Sequence, residues 1–124
     1  MRKEGVPGRQ SRHLPAFILL FLAENDAHGG SLWTQISGLM PPKWEIDSAG
    51  VYRVLRELEE RGCVTSVWNT EDAGPAKRVY RITRQGIEEL SVWHEDIVLR
   101  MRNLEFFVRQ YEKLELRNAG NQRS

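Results

Sequence analysis

At 124 residues, 40% hydrophobic and 28% charged, the chain has room for one modest core and excludes a fibrous or disordered class. Its longest apolar run, Ala16 to Ala23, falls short of the roughly 20 residues that a membrane helix needs. Net charge is only +1, so any affinity for nucleic acid must rest on local placement of charge rather than on a basic chain as a whole.

The single cysteine, Cys63, excludes an internal disulfide and cannot by itself start a metal site. It follows Gly62 where an apolar residue should return to the core, so packing is its expected role. Pro15 and the stretch LAENDAHGG, which carries no small-residue cleavage pattern, speak against a secretion signal and make the cytoplasm the expected compartment.

Residues 1–12, MRKEGVPGRQSR, set four basic side chains against Glu4 among glycines and a proline, which predicts a flexible basic arm. His13 to Asn25 is apolar almost all round, with Pro15 in the first turn where its missing N–H does no harm, and predicts a central core helix. Asp26 to Gly30 reads as a turn. His28 has no second ligand in range there, so no metal is expected. A short helix over Ser31–Leu39 should turn Leu32, Ile36 and Leu39 inward, with Trp33 to one side. Met40-Pro41-Pro42 breaks it, and residues 43–46 can form a very short strand.

The stretch from Ile46 to Val64 organises the rest. Asp47 is a good N-cap, and Val51, Leu55 and Leu58 recur at helical spacing with Val54 widening the stripe. Gly62 stands where a left-handed residue ends a helix. Ser48, Ala49, Tyr52, Arg53 and Arg56 share another face. Small residues, a phenol and two guanidinium groups suit the major groove of DNA, where arginine can pair with guanine or phosphate. Glu57, Glu59 and Glu60 follow the arginines, as they would on any solvated helix.

Cys63–Asn69 and Lys77–Thr83 both alternate and are β-rich, joined by the polar turn of residues 70–76. A hairpin directly after a helix-turn-helix is a winged helix, and Lys77, Arg78 and Arg81 make the wing basic. Thr83 can cap a helix from Arg84 to about Arg117, roughly 50 Å long at 1.5 Å per residue. Gly86 in its first turn is a mild local cost. A seven-residue repeat runs through that helix: Leu90, Ile97, Leu104 and Tyr111 mark one position, Ile87, His94, Met101 and Val108 the other. Val92, Trp93, Val98, Leu99, Phe106, Phe107 and Leu114 add apolar surface. Such a helix needs a partner, and the simplest is its own copy in a two-fold dimer. Residues 118–124 read as a frayed polar tail.

The order of these elements, with HGG at His28–Gly30, AGVYRVLRELEERGCV at Ala49–Val64 and GPAKRVYRITRQG at Gly74–Gly86, resembles the PadR-like transcriptional regulators. It is most similar to their smaller subfamily with a single long C-terminal helix, over roughly Leu14 to Leu114. The resemblance implies a winged helix-turn-helix whose C-terminal helix forms a homodimer, in proteins that are mostly repressors binding pseudo-palindromic operators. By that resemblance Tyr52 matches the tyrosine of the recognition helix, and Lys77 and Arg78 match the basic start of the second wing strand. Two departures stand out. Gly30 occupies a position where the family often has tyrosine, and Ala49-Gly50-Val51-Tyr52 stands where it often has Gly-Thr-Leu-Tyr. The family also implies release of DNA by an aromatic or cationic small molecule near the dimer interface. Trp93, His94, Phe106 and Phe107 could line that pocket, although plain interface packing is the simpler use of the same residues.

The expected fold is therefore mainly α with a small β-hairpin wing: a basic arm over 1–12, a winged helix-turn-helix over 13–83, a dimerisation helix over 84–117 and a disordered tail over 118–124. The expected function is a homodimeric, sequence-specific regulator on double-stranded DNA. Ser48, Tyr52, Arg53, Arg56, Lys77 and Arg78 should touch DNA, and Leu90, Ile97, Met101, Leu104, Val108 and Tyr111 should form the dimer seam. A dimeric winged-helix module that binds protein instead is the alternative, motivated by the near-neutral charge and the acidic run Glu57, Glu59 and Glu60. No catalysis, cofactor or metal is expected. The chain has no phosphate-cradling glycine loop, no His/Cys/carboxylate set at metal spacing and no nucleophile motif.

Overall fold

A computed structural model describes residues 12–39, 46–70 and 74–123. The expected basic arm apart from Arg12, the proline break at Met40–Pro42, residues 43–45 of the expected short strand and residues 71–73 of the hairpin turn lie outside them. In chain order the elements are α1 (Leu14–Glu24), β1 (Ala27–His28), α2 (Gly29–Leu39), α3 (Ser48–Glu60), β2 (Val64–Asn69), β3 (Lys77–Ile82) and α4 (Arg84–Arg123). By compactness the chain falls into two units, dividing between Ser91 and Val92. The first two turns of α4 thus belong with the winged helix, past the residue 83 at which the sequence alone ends that domain.

The core of the first unit is built by three helices. Leu14, Ala16, Ile18, Leu19 and Leu22 of α1 are buried, as are Leu32 and Ile36 of α2 and the stripe Val51, Val54, Leu55 and Leu58 of α3. Each buried leucine, isoleucine or valine among them stabilises the fold by about 1.5–3 kcal/mol relative to an exposed one. Cys63, Val64 and Tyr80 close the core from the sheet side. Leu39, predicted to face inward, is 59% exposed instead. It sits in the last turn of α2, beyond the point where the α1 and α3 stripes meet that helix.

The sheet has the order β1-β3-β2 and is antiparallel throughout. The hairpin pairs Val64 with Ile82, Ser66 with Tyr80 and Trp68 with Arg78. The turn expected over Asp26–Gly30 is a strand followed by a helix start. Ala27 and His28 pair with Tyr80 and Val79, because the free edge of β3 offers backbone groups that need partners. Gly29 and Gly30 already belong to α2. What reads as a chain breaker is a packing device: a Cβ on Gly29 would run into the Tyr52 ring, with Cζ only 2.7 Å away.

The organising helix forms as its sequence predicts. Asp47 Oδ1 accepts the Gly50 N–H at 2.9 Å, and Gly62 ends the helix at φ 80°. There the Gly62 N–H reaches the Glu59 carbonyl and the Cys63 N–H the Leu58 carbonyl, at 3.0 and 2.8 Å. This double closure suits the left-handed backbone that only glycine adopts freely. Thr83 caps α4, its Oγ1 accepting the Gly86 N–H at 3.1 Å. The helix then runs through Arg123 rather than ending at Arg117, since extension of an existing helix costs little per residue.

Candidate nucleic-acid interface

Two elements converge on one surface. On α3, Ser48, Tyr52, Arg53 and Arg56 are exposed, opposite the buried stripe. The chain entering α3 is held by Trp33, whose Nε1 donates to the Ile46 carbonyl at 2.7 Å. That bond gives the side-facing tryptophan a structural task. On the wing, Lys77 and Arg78 are exposed at the start of β3. The alternation of the hairpin, with Val64, Ser66 and Trp68 opposite Ile82, Tyr80 and Arg78, turns Arg78 toward α3. Arg81 falls on the other face and pairs with Asp26 at 3.0 Å, so it stands apart from the basic surface that the sequence assigned to the wing.

The cations differ in how firmly they are held. Arg53 lies 3.7 Å from Glu57 with both side chains about half exposed, a helical pair worth only a few tenths of a kcal/mol and readily surrendered to a phosphate. Arg78 is anchored. Its Nε donates to Ser66 Oγ at 2.7 Å, Ser66 Oγ donates to Glu59 Oε2 at 2.7 Å, and the guanidinium lies 3.7 Å from Glu59 Oε1 and 5.6 Å from the Trp68 ring centroid. This chain of contacts ties the wing to α3. Among the described residues Arg56 and Lys77 form no ion pair. Two of the three acidic residues that follow the arginines, Glu57 and Glu59, therefore pair with cations of this face.

Between the two elements lies a crevice of about 450 Å³ that includes Tyr52, Trp68, Lys77, Arg78 and Tyr80, with His28 and the first glycines of α2 at one end. Tyr80, Trp68 and Glu59 are site residues that sequence reasoning passed over. The strand alternation that sets Tyr80 and Trp68 on the helix-facing side was the available signal.

Behind the surface, the turn after α3 is clasped by the start of α4. Arg61 and Glu89 form a two-bond ion pair, at 3.3 and 2.8 Å, and Gln85 Nε2 donates to the Arg61 carbonyl at 2.5 Å. Thr83 donates from its hydroxyl to the Gly62 carbonyl at 2.6 Å and from its N–H to the Cys63 carbonyl at 3.0 Å. Cys63, 1% exposed, donates its thiol to Glu89 Oε1 at 3.2 Å. Burial, then the hydrogen bond to the Glu89 carboxylate and its charge, raise the thiol pKa above its usual 9.0. The hydrogen bond to Glu89 likewise raises Arg61.

A raised thiol pKa binds its proton more tightly in the folded state. The resulting stability is present below the unfolded pKa and is lost as pH rises through the folded one. Denaturant melts should therefore weaken from about pH 9 upward, and Cys63→Ala should flatten that alkaline limb at the expense of overall stability. A disulfide reagent should meet a thiol that reacts only as fast as the protein opens. Rapid stoichiometric labelling of folded protein would contradict the burial.

Within α4, Leu90 and Ile97 are half-buried, while Met101 (55%), Leu104 (65%), Val108 (50%) and Tyr111 (51%) are exposed in the single chain. Met101, Leu104 and Val108 form one continuous strip edged by Glu105 and Arg109. Trp93 is half-buried, and His94, Phe106 and Phe107 are exposed. One chain does not gather these four, since the two pairs stand about 20 Å apart along the helix at 1.5 Å per residue. Among the described residues no helix is long and apolar enough to cross a membrane, and no His, Cys, Asp and Glu cluster is fit for a metal ion.

Solved structures share this architecture. A conserved protein of unknown function, described as a potential transcriptional factor, superposes with a TM-score of 0.75 at 28% identity over 89% of this chain and 96% of its own. A transcriptional regulator from Clostridium thermocellum does so with 0.68 at 25% identity, over 77% of this chain and 90% of its own. Bacillus subtilis PadR, solved in complex with operator DNA, gives 0.59 at 23% identity over 66% of this chain and 46% of its own. A search of curated protein sequences gives no significant match. The model of the transcriptional regulator PadR-like family matches residues 18–92, from the middle of α1 through the wing to the early turns of α4, and the chain belongs to that family.

Proposed function

We propose that the protein is a sequence-specific DNA-binding regulator, acting in the cytoplasm as a homodimer on a pseudo-palindromic operator and repressing transcription there. The observation that carries this is the pairing of one exposed face, with Tyr52, Arg53 and Arg56 on α3 beside Lys77 on the wing, with a long apolar strip on α4 that is exposed among the described residues of one chain. Bacillus subtilis PadR, of similar fold, was solved on operator DNA, which supports the same use of the winged helix here. Two copies joined along α4 would offer two recognition helices to successive major grooves about 34 Å apart. In this reading Arg53 and Arg56 read bases or phosphates, Ser48 and Tyr52 hold the backbone, and Lys77 and Arg78 serve the wing. Trp93, His94, Phe106 and Phe107 would come together only across the dimer, where they could admit a small aromatic or cationic effector that releases the DNA.

Selection of duplexes from a random pool, followed by titration at two salt concentrations, tests the proposal. Replacing both Arg53 and Arg56 with alanine should relax discrimination by about 1–3 kcal/mol for each lost base contact. Lys77→Ala should weaken binding evenly across sequences and flatten the salt slope by about 1. Unchanged binding in the double-arginine variant would mean that another face reads the DNA. Wild-type binding no tighter to selected than to random duplex would favour the protein-binding module. That module's acidic motivation is weakened here, because Glu57 and Glu59 are turned to cations of the same surface.

A further inference from the structure

Tyr80 is the anomaly of the interface. Its side chain is 7% exposed, yet its hydroxyl makes no hydrogen bond to another described residue and is not sealed in the core. A buried tyrosine ordinarily finds a partner for its O–H. Tyr80 lines the crevice between α3 and the wing. Burial raises its pKa first of all. Arg78 and Arg56 oppose that rise, while Glu59 and Tyr52 add to it. The group is thus a protonated donor at neutral pH, with two guanidinium groups near enough to act on it.

The rest of the crevice favours a small anion. Lys77 stands at its rim without an ion pair among the described residues. At one end lies the N-terminus of α2, an 11-residue helix with no acidic residue in its first turn. Gly29 and Gly30 add no side chain of their own there, and although the Tyr52 ring packs over Gly29, Gly30 is exposed, so the helix start can still attract negative charge. Glu59, the one carboxylate nearby among the described residues, is already occupied by Ser66 and Arg78. The crevice separates the helix proposed to enter the major groove from the wing proposed to contact the duplex beside it, so the backbone bordering that groove would pass over it.

We propose that this crevice seats one backbone phosphate of the bound duplex, with the Tyr80 hydroxyl donating to a non-bridging oxygen and the α2 N-terminus and Lys77 supplying the field. The seat rests on the DNA-binding reading, and deepens it by assigning a position to the strand between the two contact elements.

Tyr80→Phe removes one oxygen that the fold does not use, so its melting temperature should match the wild type. On the tightest duplex selected by the wild-type protein, and on a random duplex of equal length, it should bind about tenfold more weakly. The factor should be the same on both, and the salt slope should not change, since no charge is lost. Methylphosphonate substitution, one phosphate at a time, should find a position in each half-site whose neutralisation weakens the wild type but scarcely weakens Tyr80→Phe further. Wild-type affinity in the variant, a loss confined to the selected duplex, a lowered melting temperature or the absence of any such phosphate would each overturn the seat. Inorganic phosphate that competes with duplex beyond the effect of equal ionic strength in the wild type but not in Tyr80→Phe would support the seat, since both would occupy it. A wild-type protein that binds no duplex would overturn the DNA-binding reading itself, whereas equal binding by wild type and variant removes the seat alone.

Discussion

Leu104→Glu is expected to leave a folded monomer that no longer holds its operator. Leu104 is 65% exposed in the single chain and its neighbour Val108 50%, so the substitution disturbs no core within one copy. In the proposed dimer both side chains would lie in the seam, where each buried leucine contributes about 1.5–3 kcal/mol and each carboxylate would have to be stripped of water without a partner. Two-fold symmetry doubles the effect. Once separated, each winged helix binds its half-site without the high local concentration that the other half supplies, and affinity for a two-site duplex should fall by about 10²- to 10⁴-fold. Sedimentation equilibrium and a gel-shift titration read the two parts separately. A variant that keeps the wild-type mass would take Leu104 out of the seam, and a monomer with full operator affinity would detach dimerisation from recognition.

The largest expected loss of stability comes from Gly86→Ala. A Cβ there would run into the Cys63 carbonyl oxygen and stand 2.6 Å from Ile82 Cγ1. The carbonyl cannot easily step aside, because the Thr83 N–H is bonded to it at 3.0 Å while the Thr83 hydroxyl grips the preceding Gly62 carbonyl. Inserting a methyl group into a fixed contact costs about 1–3 kcal/mol, and the upper end applies where the obstacle is backbone. At about 4–8 °C per kcal/mol for a domain of this size, the midpoint should drop by about 10–20 °C. Scans at fixed protein concentration are needed, since dimerisation would shift the midpoint by mass action. Gly38→Ala is the matched control. It is also helical but has nothing within 4 Å of its Cβ, and should be neutral or stabilising by about 0.5–1 kcal/mol. Equal melting of the two variants would show that the Gly86 contact relaxes freely.

That residue also marks the limit of what periodicity can say. The spacing of Val51, Leu55 and Leu58, the Asp47 cap and the Gly62 stop are local signals, and all reappear in the structure. So do both wing strands, to within a residue at each end. Gly86 looked like a helix cost because the reason for it lies on another element, 23 positions back at Cys63. Gly29 and the β1 strand were missed for the same cause: the edge of β3 and the Tyr52 ring that give them meaning are distant in sequence. At the interface the residue types on α3 were legible, but their engagements were not. Nothing in the order of residues reveals that Glu59 reaches Ser66 and Arg78 across the wing, or that Tyr80, though buried, lines a crevice with its hydroxyl unpartnered among the described residues.

The clasp between the turn after α3 and the start of α4 has a mechanical consequence. Arg61, Gly62 and Cys63 are gripped by Thr83, Gln85 and Glu89 through main-chain and side-chain bonds alike, and Gly86 lets the two backbones touch. A joint fixed at so many points behaves as a crank, not a hinge. In the proposed DNA-bound dimer, torque on the first turns of α4 would reach α3 with little slack and change the aim of its arginines.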